Sequence, residues 1–427
     1  MYNKSLETVQ PKLIMTDYFF LFGMWLVIFW ALDPFSWRLE FIGGIKHFPL
    51  IAMMPAFILA LVGNSLFKTR RNNELSLASL SNQKLIFTIW LFSSFVALGG
   101  IYAKFASNID NAFLTMGLYA MTAPLMAWFI KGSSKPAALI KGVLWIYLFW
   151  ALVSISMQVV KYGGAAVFHS REHLALAGLA ILYFISKSKV AKLLVVLLIA
   201  FAAFAGHKNT AYMVALLLYL LFFLIWGIGY AKTIKDGFVR TMFWIRAGLI
   251  TTLSSIVIGL VYFYVKSTLP DGNPTYRLHT YGIAWDKFLS SPIWGNGYTK
   301  AATEKFDLFT VASSTQVLPT HSDPLDIIAN GGLIGFSLWA SVFVLLIRRW
   351  YLLALKPETQ INASLIPYQH ALFCLIFTGV VVCAFNPILN SPNNAWAFWA
   401  PVGMLIASLT VTDKANRKVR EVVYETA

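Results

Sequence analysis

Charge is what this 427-residue chain has least of. Only 12% of its residues are Asp, Glu, Lys or Arg, about half of the roughly 25% that a soluble domain carries. A chain so poor in charge, and 58% apolar, cannot clothe a core with a wetted surface. The mean hydropathy of +0.68 points the same way, and the two or three soluble domains that length alone would allow are excluded. Cysteine is nearly absent. Cys374 and Cys383 lie nine residues apart in one apolar stretch, a spacing that a disulfide cannot close within a straight helix and that makes no metal cluster. There is no Asp-x-Asp pair, no internal repeat and no low-complexity tract. No small-residue cleavage site follows the first apolar run, which therefore reads as a first span and not as a removable signal.

What the chain does have is a series of long apolar runs. Those able to cross a bilayer lie near 17–33, 47–66, 85–103, 112–130, 142–160, 173–186, 192–206, 210–230, 246–265, 330–347, 369–386 and 393–411. The expected fold is all-α and integral to a membrane, with about twelve transmembrane helices of about 20 residues each. Residues 1–265 would carry the first nine spans and 330–411 the last three. Residues 266–329 would form one long loop, and 412–427 a basic tail.

The net charge of +16 raises the question of nucleic acid, and its distribution answers it. Basic residues group after the even-numbered spans, as in Lys68, Arg70, Arg71 and Lys84, or Lys232, Lys235, Arg240 and Arg246. With both termini, that side holds 23 of the 34 Lys and Arg residues. The excess marks it as cytoplasmic, so the charge is a topology signal and no nucleic-acid partner is needed to explain it. Both termini are expected in the cytoplasm and residues 266–329 on the opposite face. That segment is too long for a simple connector, and long ordered loops tend to carry function. Asp271-Gly272 and Asn273-Pro274 mark a turn at its start. Residues 277–291 read as a helix ending before Pro292.

Charges on the outer face are few. Arg277 opens the loop helix, Arg171 lies in His169-Ser170-Arg171-Glu172-His173, and His207 and Lys208 share a tight turn. Each has a plain alternative role, at the membrane interface or paired with acids such as Glu172 and Asp286. Tyr276, Tyr281, Trp285, Trp294 and Tyr298 fit either an interfacial aromatic belt or stacking on sugar rings. His321 stands out. It precedes Ser322-Asp323-Pro324-Leu325-Asp326, which resembles an N-cap (Asp323), a proline at the first helical position and an acid at the third. The positive end of such a helix disfavours imidazolium and attracts phosphate. A neutral imidazole there suits a general base acting on a hydroxyl.

The run around His321 resembles the signature of the O-antigen ligase and polysaccharide polymerase family. His321, Ser322, Leu325, Asp326, Gly332 and Gly335 match its six positions. Arg277, Pro292, Gly295 and Gly297 match the family's second motif, with Tyr281 where a Trp is usual. In the short turn before the eighth span the family carries an arginine where this chain has Lys208. A lysine keeps the charge and loses the bidentate fork.

The resemblance implies an architecture like that of the GT-C-type glycosyltransferases and an active site on the periplasmic face of a bacterial inner membrane. It implies transfer of a glycan from undecaprenyl diphosphate to a sugar hydroxyl of lipid A–core, without metal or cofactor and with inversion. His321 and Arg277 would be catalytic. Arg277, Lys208 and Arg171 would bind the diphosphate, with Asp326, Ser322 and Tyr281 in support. A polymerase would instead use a second lipid-linked glycan as acceptor; the single long outer loop favours the ligase layout. A transporter of lipid-linked sugars should carry ionisable groups at mid-membrane depth on broken helices. Here the charges gather at the ends of the spans.

Overall fold

The structure is a computed structural model, and it describes residues 15–32, 77–107, 112–133, 135–162, 168–206, 208–246, 248, 273–296, 320–355 and 363–426. The runs at 47–66 and 246–265 lie almost wholly outside the described residues. So do Asp271, Gly272, His207, Gly297, Tyr298, Glu304 and Asp307.

The described residues are helical and contain no strand. In chain order the helices are α1 (Met15–Leu32), α2 (Leu77–Ser107), α3 (Ala112–Ala120), α4 (Thr122–Gly132), α5 (Pro136–Tyr162), α6 (Ser170–Gly178) and α7 (Ala180–Ile185). There follow α8 (Lys189–Ala205), α9 (Asn209–Thr233), α10 (Asn273–Ser290), α11 (Asp323–Trp350), α12 (Ile366–Cys383) and α13 (Pro392–Thr426). Among the described residues, seven helical stretches are long and apolar enough to cross a membrane. They correspond to the runs at 85–103, 112–130, 142–160, 210–230, 330–347, 369–386 and 393–411. The runs at 17–33, 173–186 and 192–206 fall on the shorter helices α1, α6 with α7, and α8.

Apolar side chains outside the core agree with a lipid surround. Leu194, Leu197, Phe201 and Phe204 of α8 are all exposed, as are Phe87, Trp90 and Leu98 of α2. In water such faces would drive association, whereas in hydrocarbon they are at home. Helix α13 lies at the centre, with Trp396, Phe398 and Trp399 fully buried. Helix–helix contacts in lipid draw on packing and hydrogen bonds. Accordingly, Tyr147 on α5 donates to the Ala397 carbonyl at 3.0 Å, and Gln369 on α12 donates to Thr412 Oγ1 at 2.7 Å.

Two boundaries differ from the sequence reading. Helix α10 begins at Asn273, with Pro274 in its first turn, where proline's fixed φ and missing N–H cost nothing. The Asn273-Pro274 pair therefore starts a helix instead of extending the turn. Helix α11 begins at Asp323, so residues 323–329 form the entry to a spanning helix. The helix is interrupted by a kink at Gly332 (φ 59°, ψ −161°).

Candidate active site

Glycine chemistry builds the scaffold of the site. After α10 ends, residues Ser291–Gly295 turn back against the α11 kink, where Leu333 N–H donates to the Pro292 carbonyl at 2.8 Å and Ile334 N–H to the Ile293 carbonyl at 3.2 Å. A Cβ on Gly295 would sit 2.2 Å from the Asn330 carbonyl oxygen, and one on Gly332 2.4 Å from the Ile293 oxygen. Both glycines also have positive φ, so neither position admits a side chain without strain. The Pro292/Gly295 motif and the Gly332 motif are thus two halves of one joint, which fixes α10 against α11.

Above that joint lies the turn that carries His321. Its φ of 61° is a left-handed value outside glycine, a conformation that persists only where the surroundings hold it. The surroundings are polar and buried. Thr320 is fully buried, and its Oγ1 lies 2.9 Å from Asp326 Oδ1 and 2.9 Å from the Ser322 carbonyl. Ser322 N–H donates back to Thr320 Oγ1 at 3.1 Å. Asp326 N–H donates to the Ser322 carbonyl at 3.0 Å.

The cap differs from expectation by one residue. Ser322 is the N-cap of α11, and Asp323 is its first residue. The Asp323 carboxylate instead accepts the backbone N–H groups of Ile388, at 2.8 Å, and Leu389, at 3.0 Å. Those residues belong to the turn between α12 and α13, which also brings the Asn390 side chain against Asp326. On the other flank Lys287 of α10 donates to Asn330 Oδ1, and Asn330 donates to the Asp326 carbonyl at 2.7 Å. Acid, hydroxyl and amide groups thus brace the His321 turn from three segments. The sequence reading missed Thr320, Lys287, Asn330, the 386–391 turn and the direction of Asp323. The one available signal was the polar run Asn386-Pro387 to Asn390-Ser391 between two apolar stretches.

His321 is half-buried, and its pKa lies below the ordinary imidazole value. Burial is the first cause, followed by the positive charges of Arg277 and Lys208. The three residues therefore share one electrostatic environment, although they come from α10, the N-cap of α9 and the turn before α11. Arg277 Nε and the Tyr281 hydroxyl are buried with no hydrogen-bond partner among the described residues. Burial raises the Tyr281 pKa, the Arg277 charge lowers it and Asp326 raises it. The unpartnered Arg277 Nε and Tyr281 hydroxyl are donors that an oxygen-rich anion could satisfy.

Lys208 caps α9, and its Nζ lies 3.5 Å from Nδ1 of His169. His169 caps α6 in a capping box: its backbone N–H donates to Glu172 Oε2 at 3.0 Å, and its side chain accepts from the Glu172 backbone N–H. Arg171 holds the other oxygen of Glu172 in a salt bridge of 2.7 Å, the partner that its neighbouring acid made plausible. His173, one turn inside α6, is fully buried, and neither ring nitrogen has a partner among the described residues. Trp285 and Trp294 are exposed. Among the described residues no three His, Cys, Asp or Glu side chains converge as a metal site would require.

Fold and site together define a multi-pass helical membrane protein that gathers a histidine and two cations at the ends of its helices. Residues 174–340 match the family model described as O-antigen ligase. The match supports an assignment to the O-antigen ligase and polysaccharide polymerase family. Members of that family are glycosyltransferase-like enzymes. The matched segment contains Lys208, Arg277, Tyr281, His321, Ser322 and Asp326, whereas Arg171 and His169 precede it. No curated protein matches the chain.

Proposed function

We propose that the protein transfers a glycan from undecaprenyl diphosphate to a sugar hydroxyl of lipid A–core, at the periplasmic face of a bacterial inner membrane. The observation that carries this reading is the shared environment of a half-buried, strained histidine and two cations from distant helices. Neutral His321 takes the proton of the acceptor hydroxyl. The acceptor oxygen attacks the anomeric carbon, and the bond from that carbon to the diphosphate oxygen breaks. One direct displacement inverts the anomeric centre. The leaving diphosphate gains negative charge in the transition state, so Arg277 and Lys208 bind it more tightly there than in the ground state. Arg171 adds positive charge at the rim while holding Glu172. Asp326, Ser322 and Tyr281 support the two catalytic side chains, and all the positive charge required comes from side chains.

The test is transfer from purified undecaprenyl-diphosphate glycan, in detergent with EDTA, to lipid A–core and separately to a second lipid-linked glycan. The ligase reading expects product only on lipid A–core. Elongation of the lipid-linked chain would make the protein a polymerase with the same catalytic residues. Absence of both products with matched native substrates would overturn the reading.

A further inference from the structure

Lys208 occupies an awkward place for a cation. It is the N-cap of α9, with Ala211 N–H donating to its carbonyl at 2.9 Å, and the positive end of a helix repels an ammonium group. A lysine is also a flexible stem with a single point charge, so aiming it at a substrate costs rotamer entropy. The structure supplies a brace. Phe168 N–H donates to the Gly206 carbonyl at 3.1 Å, tying the residue before His169 to the turn before Lys208. A Cβ on Gly206 would lie 2.6 Å from the Phe168 ring, so only glycine lets the two segments close. The Glu172 carboxylate fixes the His169 backbone from the other side. The result is His169 Nδ1 at 3.5 Å from Lys208 Nζ, at the outer limit of a hydrogen bond.

We propose that His169 is a positioning residue, its neutral imidazole accepting from Lys208 and aiming the ammonium group at the diphosphate of the donor. The proposal rests on the transferase reading above. Burial, with the charge of Lys208 next, lowers the His169 pKa and so favours the neutral imidazole. Glu172 opposes this effect and Arg171 assists it. The capping box already has the ring accept from the Glu172 backbone N–H, and an Nδ1 that accepts there or from Lys208 carries its ring proton on Nε2. An arginine at the Lys208 position would need less of this help, because its planar fork engages phosphate in two directions.

The experiment is a double-mutant cycle read by binding of undecaprenyl diphosphate to the full-length protein in detergent. His169→Ala should weaken binding about three- to tenfold, the size expected of one partly exposed contact to a charge. In a Lys208→Ala background the same substitution should change nothing further. His169→Ala combined with Lys208→Arg should bind within about twofold of Lys208→Arg alone. His169→Asn, which keeps an acceptor, should recover most of the loss. An equal loss from His169→Ala with and without Lys208 would overturn the proposal and leave the transferase reading standing. Undiminished binding by Lys208→Ala would remove Lys208 from the diphosphate site, and the proposal with it.

Discussion

The Trp396–Leu405 stretch of α13 and the entry to α11 are equally shut off from solvent and are built from opposite materials. Trp396, Phe398, Trp399, Val402, Met404 and Leu405 fill the first with apolar and aromatic side chains, each at most 1% exposed. Thr320, Ser322, Asp323, Asp326 and Asn330 fill the second, and none of them is more than 2% exposed. Apolar helix contacts in a bilayer rely on close packing and tolerate swaps of similar shape. Buried acids and amides are costly unless each is paired, and a paired network fixes one backbone arrangement. The protein places that costly material where a strained histidine must be held, and interchangeable material along the Trp396–Leu405 stretch of α13.

The two regions should respond most differently to substitutions at the functional end. His321→Ala should lower transfer by about 10³-fold or more, since general base catalysis contributes roughly 10²–10⁴. Arg277→Ala should cost about 10²–10³-fold, the size of losing one preorganised charge-stabilising donor. Both are read as kcat/KM in the transfer assay. Asp323→Ala tests the brace itself. It strands the Ile388 and Leu389 N–H groups, so the protein should lose about 2–5 kcal/mol of stability. The surviving folded fraction should turn over more slowly at little-changed donor KM, as a mis-set His321 would. On the other side of the comparison, Met404→Leu should cost less than about 1.5 kcal/mol and leave the transfer rate unaltered. Loss of activity there would show that the apolar centre is not interchangeable. The smallest effect is one of pH. A base whose pKa is lowered stays neutral further into acid, so the acid limb of kcat/KM should lie below the ordinary imidazole value of about 6.5. A limb above that value would mean that another group titrates.

Much of this was legible in the chain because membrane helices announce themselves locally. Ten of the apolar runs fall on described helices, for a run of apolar residues in hydrocarbon has few alternatives to a helix. Arg277, His321 and Asp326 were visible because their spacing within short segments follows a recognisable pattern. What was hidden is what depends on tertiary approach. The acid in Asp323-Pro324 looked like a cap for its own helix, and only the fold brings Ile388 and Leu389 within its reach. Gly295 and Gly332 are separated by more than thirty residues in the chain, and their complementarity is a property of the joint. The His169–Lys208 contact spans 39 positions, and nothing in either turn alone announces the other.

The proposed division of labour has His321 act on the acceptor while the cations hold the donor. It is tested most directly by measuring undecaprenyl diphosphate binding and single-turnover glycan transfer side by side for wild type and His321→Ala. The account predicts binding within about twofold of wild type and transfer reduced by about 10³-fold, because a general base contributes to chemistry and not to holding the leaving group. Transfer near the wild-type rate, or binding and transfer lost in equal measure, would contradict it.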